Sequence, residues 1–178
     1  MAAAGLVQRL AARDVELAEH SLATGAVAAR LALQMGLEPP EIVEAALIGT
    51  LHEVGAIVVA PAALDGLGFA SASEVLRVQR AERRAAVALV RATPAIADLA
   101  DAVGSVFDDL VPTLTARIAI VADQFDYLTR WVPGQRGLSI GQAIVILERH
   151  AGVRYDRRVV QALAATYGSA ARRLERQA

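Results

Sequence analysis

Apolar positions recur along this chain at intervals of three and four residues, the spacing of helices that bury one face. Between Asp14 and Met35, Leu17, Val27, Ala28 and Leu31 follow that spacing, and Gly36 supplies a stop signal, so a long amphipathic helix is expected there. Residues 3 to 12 predict a short lead-in helix. LEPPE reads as a turn in which Pro40 opens a helix from about Glu41 to Val54, with Glu41 and Glu44 at the positive end of its dipole. The Gly-, Ala- and Pro-rich stretch from Gly55 to Ala70 predicts an irregular connection. Ser71 and Glu74 in SASE form a capping-box signature ahead of a helix from Ala72 to Ala92, and Pro94 permits another through Val103. GSVFDDLVP is a break. A helix from Thr115 to Thr129 follows, then the loop WVPGQRG, a helix in SIGQAIVILERHAG stopped by Gly152, and a last helix in YDRRVVQALAATY.

These pieces predict an all-α bundle of about seven helices in a single domain over residues 1–178, with 1–12 as lead-in and 168–178 as a frayed tail. Composition agrees: 55% of residues are hydrophobic but only 4% aromatic, so the core is built from Ala, Leu, Val and Ile, which suits closely approached helices. The net charge of -1 gives no electrostatic footprint for DNA or RNA, and a nucleic-acid polymer is not an expected partner. All 18 cationic side chains are arginine, a bias that fits a GC-rich coding sequence. With no cysteine, any metal site must use His, Asp and Glu. The opening MAAAGLVQRL lacks the basic flank and apolar run of a secretory signal, and a cytoplasmic location is expected.

One apolar segment, Ala45 to Leu64, approaches the length of a membrane span, but His52 and Glu53 at its middle and Pro61 near its end argue against insertion. Those two polar residues in LHEVGAI raise their own question. An unpaired carboxylate beside an imidazole in a core segment costs several kcal/mol, roughly, so a partner, a metal or water must meet them. Glu16 and His20, four apart on one helical face, are a second candidate pair; they also read as an ordinary solvated pair. Arg77, Arg80, Arg84 and Arg91, with Arg83 beside them, form a stripe that either receives phosphate or an acidic partner or is a solvated face paired with Glu74 and Glu82. Trp131 reads as a cap on the core edge or part of an interaction surface, and His150 as a helix C-terminal residue.

Four stretches in order resemble the HD superfamily of metal-dependent phosphohydrolases, and within it the HD-GYP branch, which hydrolyses cyclic di-GMP. RDVELAEHS is similar to the family's ARDxxTxxHS, LHEVGAI to LHDIGKI, and ARIAIVADQFDYLT to ARIxxVADxFDALT; GLSIGQAIVILERHAGVRYDRRVVQAL follows the family's closing pattern. The likeness runs from about Arg13 to Tyr167. It implies a divalent metal (Mn, Fe or Mg) and no organic cofactor, with His20, His52, Glu53 and Asp123 as ligands and Glu16 as a further carboxylate for an extra ion. The alternative for His52 and Glu53 is a buried pair held by hydrogen bonds without metal.

The departures matter equally. Ala56 stands where the family has a phosphate-contacting lysine, the metal-binding histidine near Ala81 is missing, and so are the tandem histidines near Ser105 to Phe107 and the extended GYP loop before Arg117. The resemblance therefore implies an HD-GYP-like core lacking the GYP loop: a degenerate signalling domain that acts through a signalling protein partner or a nucleotide, with a residual metal site and little or no cyclic di-GMP hydrolysis. Two alternatives are a mononuclear phosphohydrolase acting on a nucleotide or phosphomonoester, and a structural homodimerisation domain whose Ala-rich faces pack together.

Overall fold

Local capping chemistry places most of the helix ends. The Asp14 carboxylate accepts the Leu17 N–H at 2.9 Å and opens α2 (Val15–Gln34), which ends before Gly36 at φ 75°, a conformation open to glycine. The computed structural model describes residues 2–59, 71–106, 112–131 and 136–175. It is all-α: besides α2, the described residues form α1 (Ala2–Ala11), α3 (Pro39–Leu51), α4 (Ala72–Arg91), α5 (Ala100–Ser105), α6 (Leu114–Thr129), α7 (Ile140–Arg149) and α8 (Arg157–Glu175). Reciprocal Ser71–Glu74 and Ser139–Gln142 bonds form capping boxes at the starts of α4 and α7. Most of the connection after Val59, the break from Phe107 to Val111, the middle of WVPGQRG and the last three residues lie outside the described residues.

Three boundaries differ from the sequence expectation. The helix expected to run to Val54 stops at Leu51; His52 caps it, and Val54–Ile57 form a single 3-10 turn. Tertiary packing forces this, because Gly55 lies against the backbone of α4 at Glu82, where a Cβ would collide with the Glu82 carbonyl. The segment opened by Pro94 is a 3-10 turn, Pro94–Leu99, that leads into α5. At the far end α8 continues to Glu175, past Gly168, where the tail was expected to begin.

α6 is the central helix, with Ala116, Ile118, Ala119, Val121, Ala122 and Phe125 all buried. On one side Ile118, Val121 and Phe125 pack with Leu31 of α2, Leu147 of α7 and Val159 and Leu163 of α8. On the other, Ala116 and Ala119 meet Ile48 and Leu51 of α3, Val90 of α4 and Val103 of α5. Among the described residues no helix is long and apolar enough to cross a membrane. Trp131 does not cap the core edge: it is 67% exposed.

α2 and α3 cross with their backbones almost touching. A Cβ on Gly25 would stand 2.8 Å from the Ala46 carbonyl oxygen and collide with Thr50 Oγ1, and one on Gly49 would stand 3.1 Å from Gly25 Cα. Gly25→Ala is therefore expected to cost roughly 1–3 kcal/mol by forcing the two helices apart. Chemical denaturation checks this, and an unchanged midpoint would show that the crossing has slack.

Candidate metal centre

The close crossing of α2 and α3 brings His20, in the second turn of the first, against His52, at the end of the second; their rings meet edge to face with centroids 5.3 Å apart. Both are buried, at 4% and 2% exposure. Asp123 of α6 completes the group. Its Oδ1 lies 2.9 Å from His20 Nε2 and 3.3 Å from His52 Nε2. Two donors each about 2.1 Å from one ion lie about 3.0 Å apart at a right angle and about 3.4 Å apart at a tetrahedral angle. The two separations lie at or just below that range, the three donor atoms all lie within 4.8 Å of one another, and His20, His52 and Asp123 can together hold a metal ion.

The opposite edges of both imidazoles are fixed. His52 Nδ1–H donates to the Gly49 carbonyl at 2.7 Å, which leaves Nε2 directed at Asp123. His20 Nδ1–H donates to Asp126 Oδ2 at 2.7 Å, one helical turn beyond Asp123. Outer partners of this kind set the tautomer and raise the basicity of a ligating imidazole. Asp126 was not singled out by the sequence analysis although it sits in ARIAIVADQFDYLT; its i, i+3 spacing from Asp123 on one helix face was the available signal.

Of the five residues expected at the metal, the structure gathers His20, His52 and Asp123. Glu53 lies beside them rather than among them, its Oε1 3.6 Å from His52 Nε2 and its side chain on the wall of the adjoining cavity. Glu16 is exposed, and its contact with α6 is through its backbone carbonyl, which accepts from Arg130 at 2.6 Å. Two imidazoles and one carboxylate are a mixed nitrogen and oxygen donor set, unlike the all-oxygen shell that Mg prefers.

The group opens on a cavity of about 690 Å³ whose wall includes His52, Glu53, Glu82, Arg83, Asp123 and Arg154. Glu82 faces Glu53 because Gly55 lets α4 approach. Burial first, then repulsion by Glu53, raises its carboxyl from 4.5 to about 7, with Arg13 opposing. Burial alone would depress the His20 imidazolium, but hydrogen bonds to Asp123 and then Asp126 override it and raise the group from 6.5 to about 9. His52 moves upward as well, against its own burial, through its bond to Asp123 and the charge of Glu53. Asp123 is held well below the usual carboxylate range: burial opposes ionisation, and the two histidines more than offset it.

No family model and no curated protein matches the chain.

Two predictions follow from the geometry and charges. Asp126→Ala is expected to weaken divalent-metal binding about 10–100-fold while leaving the ligands in place; equal affinity in a competition titration would remove Asp126 as a positioning residue. In the metal-free protein, stabilisation by His20 is complete below pH 6.5 and is lost as pH rises through about 9. Glu82 has a raised folded value and so favours its neutral form; its ionisation costs stability as pH rises from 4.5 through about 7. The melting temperature is thus expected to peak at mildly acidic pH and fall toward about pH 9, with Glu82→Gln flattening the part below about 7. A profile level across that range would contradict both assignments.

Proposed function

We propose that this chain is a degenerate HD-GYP-type signalling domain that holds one divalent ion at His20, His52 and Asp123 and recognises a phosphorylated nucleotide, with little or no cyclic di-GMP hydrolysis. The observation that carries the reading is the contrast between one group of three gathered donors and, among the described residues, no second such group. Polynuclear phosphodiester chemistry needs further ligands. The positions at which the family supplies them hold other residue types in α4, around Ala81, and near Ser105.

Ala56 points to the same conclusion. It is buried against Leu10 and Ala18, so the 3-10 turn sends no cation into the cavity at the place where the family has its lysine. The cations on the cavity wall, Arg83 and Arg154, come from α4 and from the turn before α8. Such a wall fits an anionic ligand in an orientation of its own.

A second reading, a mononuclear phosphohydrolase, is favoured by one observation: the metal group opens directly on the cavity that holds Glu82. A bound ion would there supply Lewis acidity and an activated water. Glu82, held partly neutral near pH 7, would then exchange a proton with the reacting group.

Elemental analysis of protein purified without chelator, beside a His52→Ala/Asp123→Ala double variant, tests the ion. Near-stoichiometric metal that vanishes in the variant is the expected result; a metal-free, well-folded wild type would overturn the metal half of the reading. Cyclic di-GMP turnover with Mn, Fe and Mg tests the other half, and robust hydrolysis would refute it. Phosphatase activity toward a nucleotide that disappears in His52→Ala would establish the second reading instead.

A further inference from the structure

The stretch GVRYDRR, which joins α7 to the first turn of α8, brings two cations to the edge of the metal cavity. Arg154 and Arg157, together with Arg117 of α6, line a groove of about 390 Å³. Pro112, Ile120, Arg154 and Tyr155 border both this groove and the cavity of His52 and Asp123, so the two spaces adjoin across one wall.

The turn holds its cations in place. Gly152 N–H donates to the Tyr155 carbonyl at 2.7 Å, and Arg154 N–H to the His150 carbonyl at 2.9 Å. Tyr155 is buried and its hydroxyl donates to Gln124 Oε1 at 3.0 Å, anchoring the ring over which Arg154 lies, 5.6 Å from guanidinium carbon to ring centroid. The Arg157 guanidinium passes directly over Gly152, where a Cβ would stand 2.9 Å from Nη2; the residue has φ 83°. Both arginines are exposed along the groove.

Among the described residues the charge is unbalanced. Asp156 is the carboxylate of the groove, and its oxygens are already engaged: Oδ2 accepts Arg117 Nη1 at 2.6 Å, and Oδ1 accepts the backbone N–H of Arg158 at 2.8 Å. Among the described residues, three guanidiniums against one carboxylate leave two positive charges, carried by Arg154 and Arg157. Asp156 also occupies the start of α8, so an incoming anion would be met by side chains rather than by the helix end. Planar guanidinium forks, one over a ring and one over a turn, suit a phosphate-class oxyanion.

We propose that this groove is a second, metal-independent anion site, and that the ligand carries two phosphate groups, one at the Arg154–Arg157 turn and one at the His20–His52–Asp123 group. The groove site stands on the turn alone; the two-phosphate ligand rests on the function proposed above.

Two measurements separate these parts. Inorganic phosphate titrated into chelator-treated protein, followed by calorimetry, reads the groove without metal. Arg154→Gln/Arg157→Gln is expected to weaken that binding at least about tenfold, the scale of one lost charge-assisted hydrogen bond. Gly152→Ala, which displaces Arg157 but keeps its charge, is expected to weaken it as well. Equal phosphate binding in wild type and the double arginine variant, with matched melting curves, would overturn the groove site.

In metal-loaded protein, adenosine 3′,5′-bisphosphate is expected to bind at least about tenfold more tightly than the monophosphate, and the arginine variant to erase that difference. No preference in the wild type would overturn the two-phosphate ligand. A wild type that holds no metal at all would refute the proposed function, while the phosphate titration would still decide the groove.

Discussion

Everything at the candidate centre depends on how closely α2 and α3 cross. Gly25 and Gly49 let the two backbones approach until a methyl group would not fit between them, and that approach sets the 5.3 Å separation of the His20 and His52 rings. With the rings so placed, a single carboxylate from the central helix reaches both Nε2 atoms. A wider crossing filled by ordinary side chains would leave Asp123 bonded to one histidine at most. The small-residue composition of the helices is therefore more than a packing preference: it is the condition for a shared carboxylate.

Such a cluster is costly to bury. Ionised groups removed from water are stabilised only when their charges and hydrogen bonds are met within the protein, and breaking such a set by removing one partner is strongly destabilising. Here Asp126 and the Gly49 carbonyl meet the outer nitrogens, and Asp123 meets the inner ones. The arrangement is self-consistent in two states. Without metal, the protonated His20 ring bridges Asp123 and Asp126; a bound ion would instead take the Nε2 atoms of two neutral imidazoles, and each ring protonated beforehand would give up its Nε2 proton. The hydrogen bonds that stabilise the metal-free fold thus hold the ligands close to the positions an ion would require.

Much of this was legible in the sequence because it is written locally. SASE gave the start of α4, Asp14 and Gly36 bracketed α2, and the ordered motifs pointed to His20, His52 and Asp123 before any contact was known. Glu53 was harder, since adjacency to His52 in sequence carries no information on where a longer side chain will end; the turn at Val54–Ile57 sets it 3.6 Å from Nε2. Glu82 appeared only as a charge among arginines. Its proximity to Glu53 is made by Gly55 against the α4 backbone, a contact between segments that no periodicity reports. Arg154 and Arg117, 37 positions apart, share a groove for the same reason.

That last pairing shows how a compositional bias acquires structure. With arginine as the sole long cation in the chain, its placement on exposed helix faces says little about ligands. Arg91, paired with Asp101 at 2.6 Å in the open, is such a case, and a pair so solvated contributes little. Arg154 differs because its neighbour Tyr155 is buried and bonded to Gln124, and Arg157 differs because Gly152 gives it room to lie across the turn. Position on a constrained turn, beside the cavity that carries His52 and Asp123, separates these two from the rest. The result is a pair of guanidiniums beside a group of carboxylates and histidines, in a chain whose net charge is only -1. A ligand able to use both ends must present a metal-seeking group and a fixed anion at once, and that requirement discriminates more sharply than either end alone.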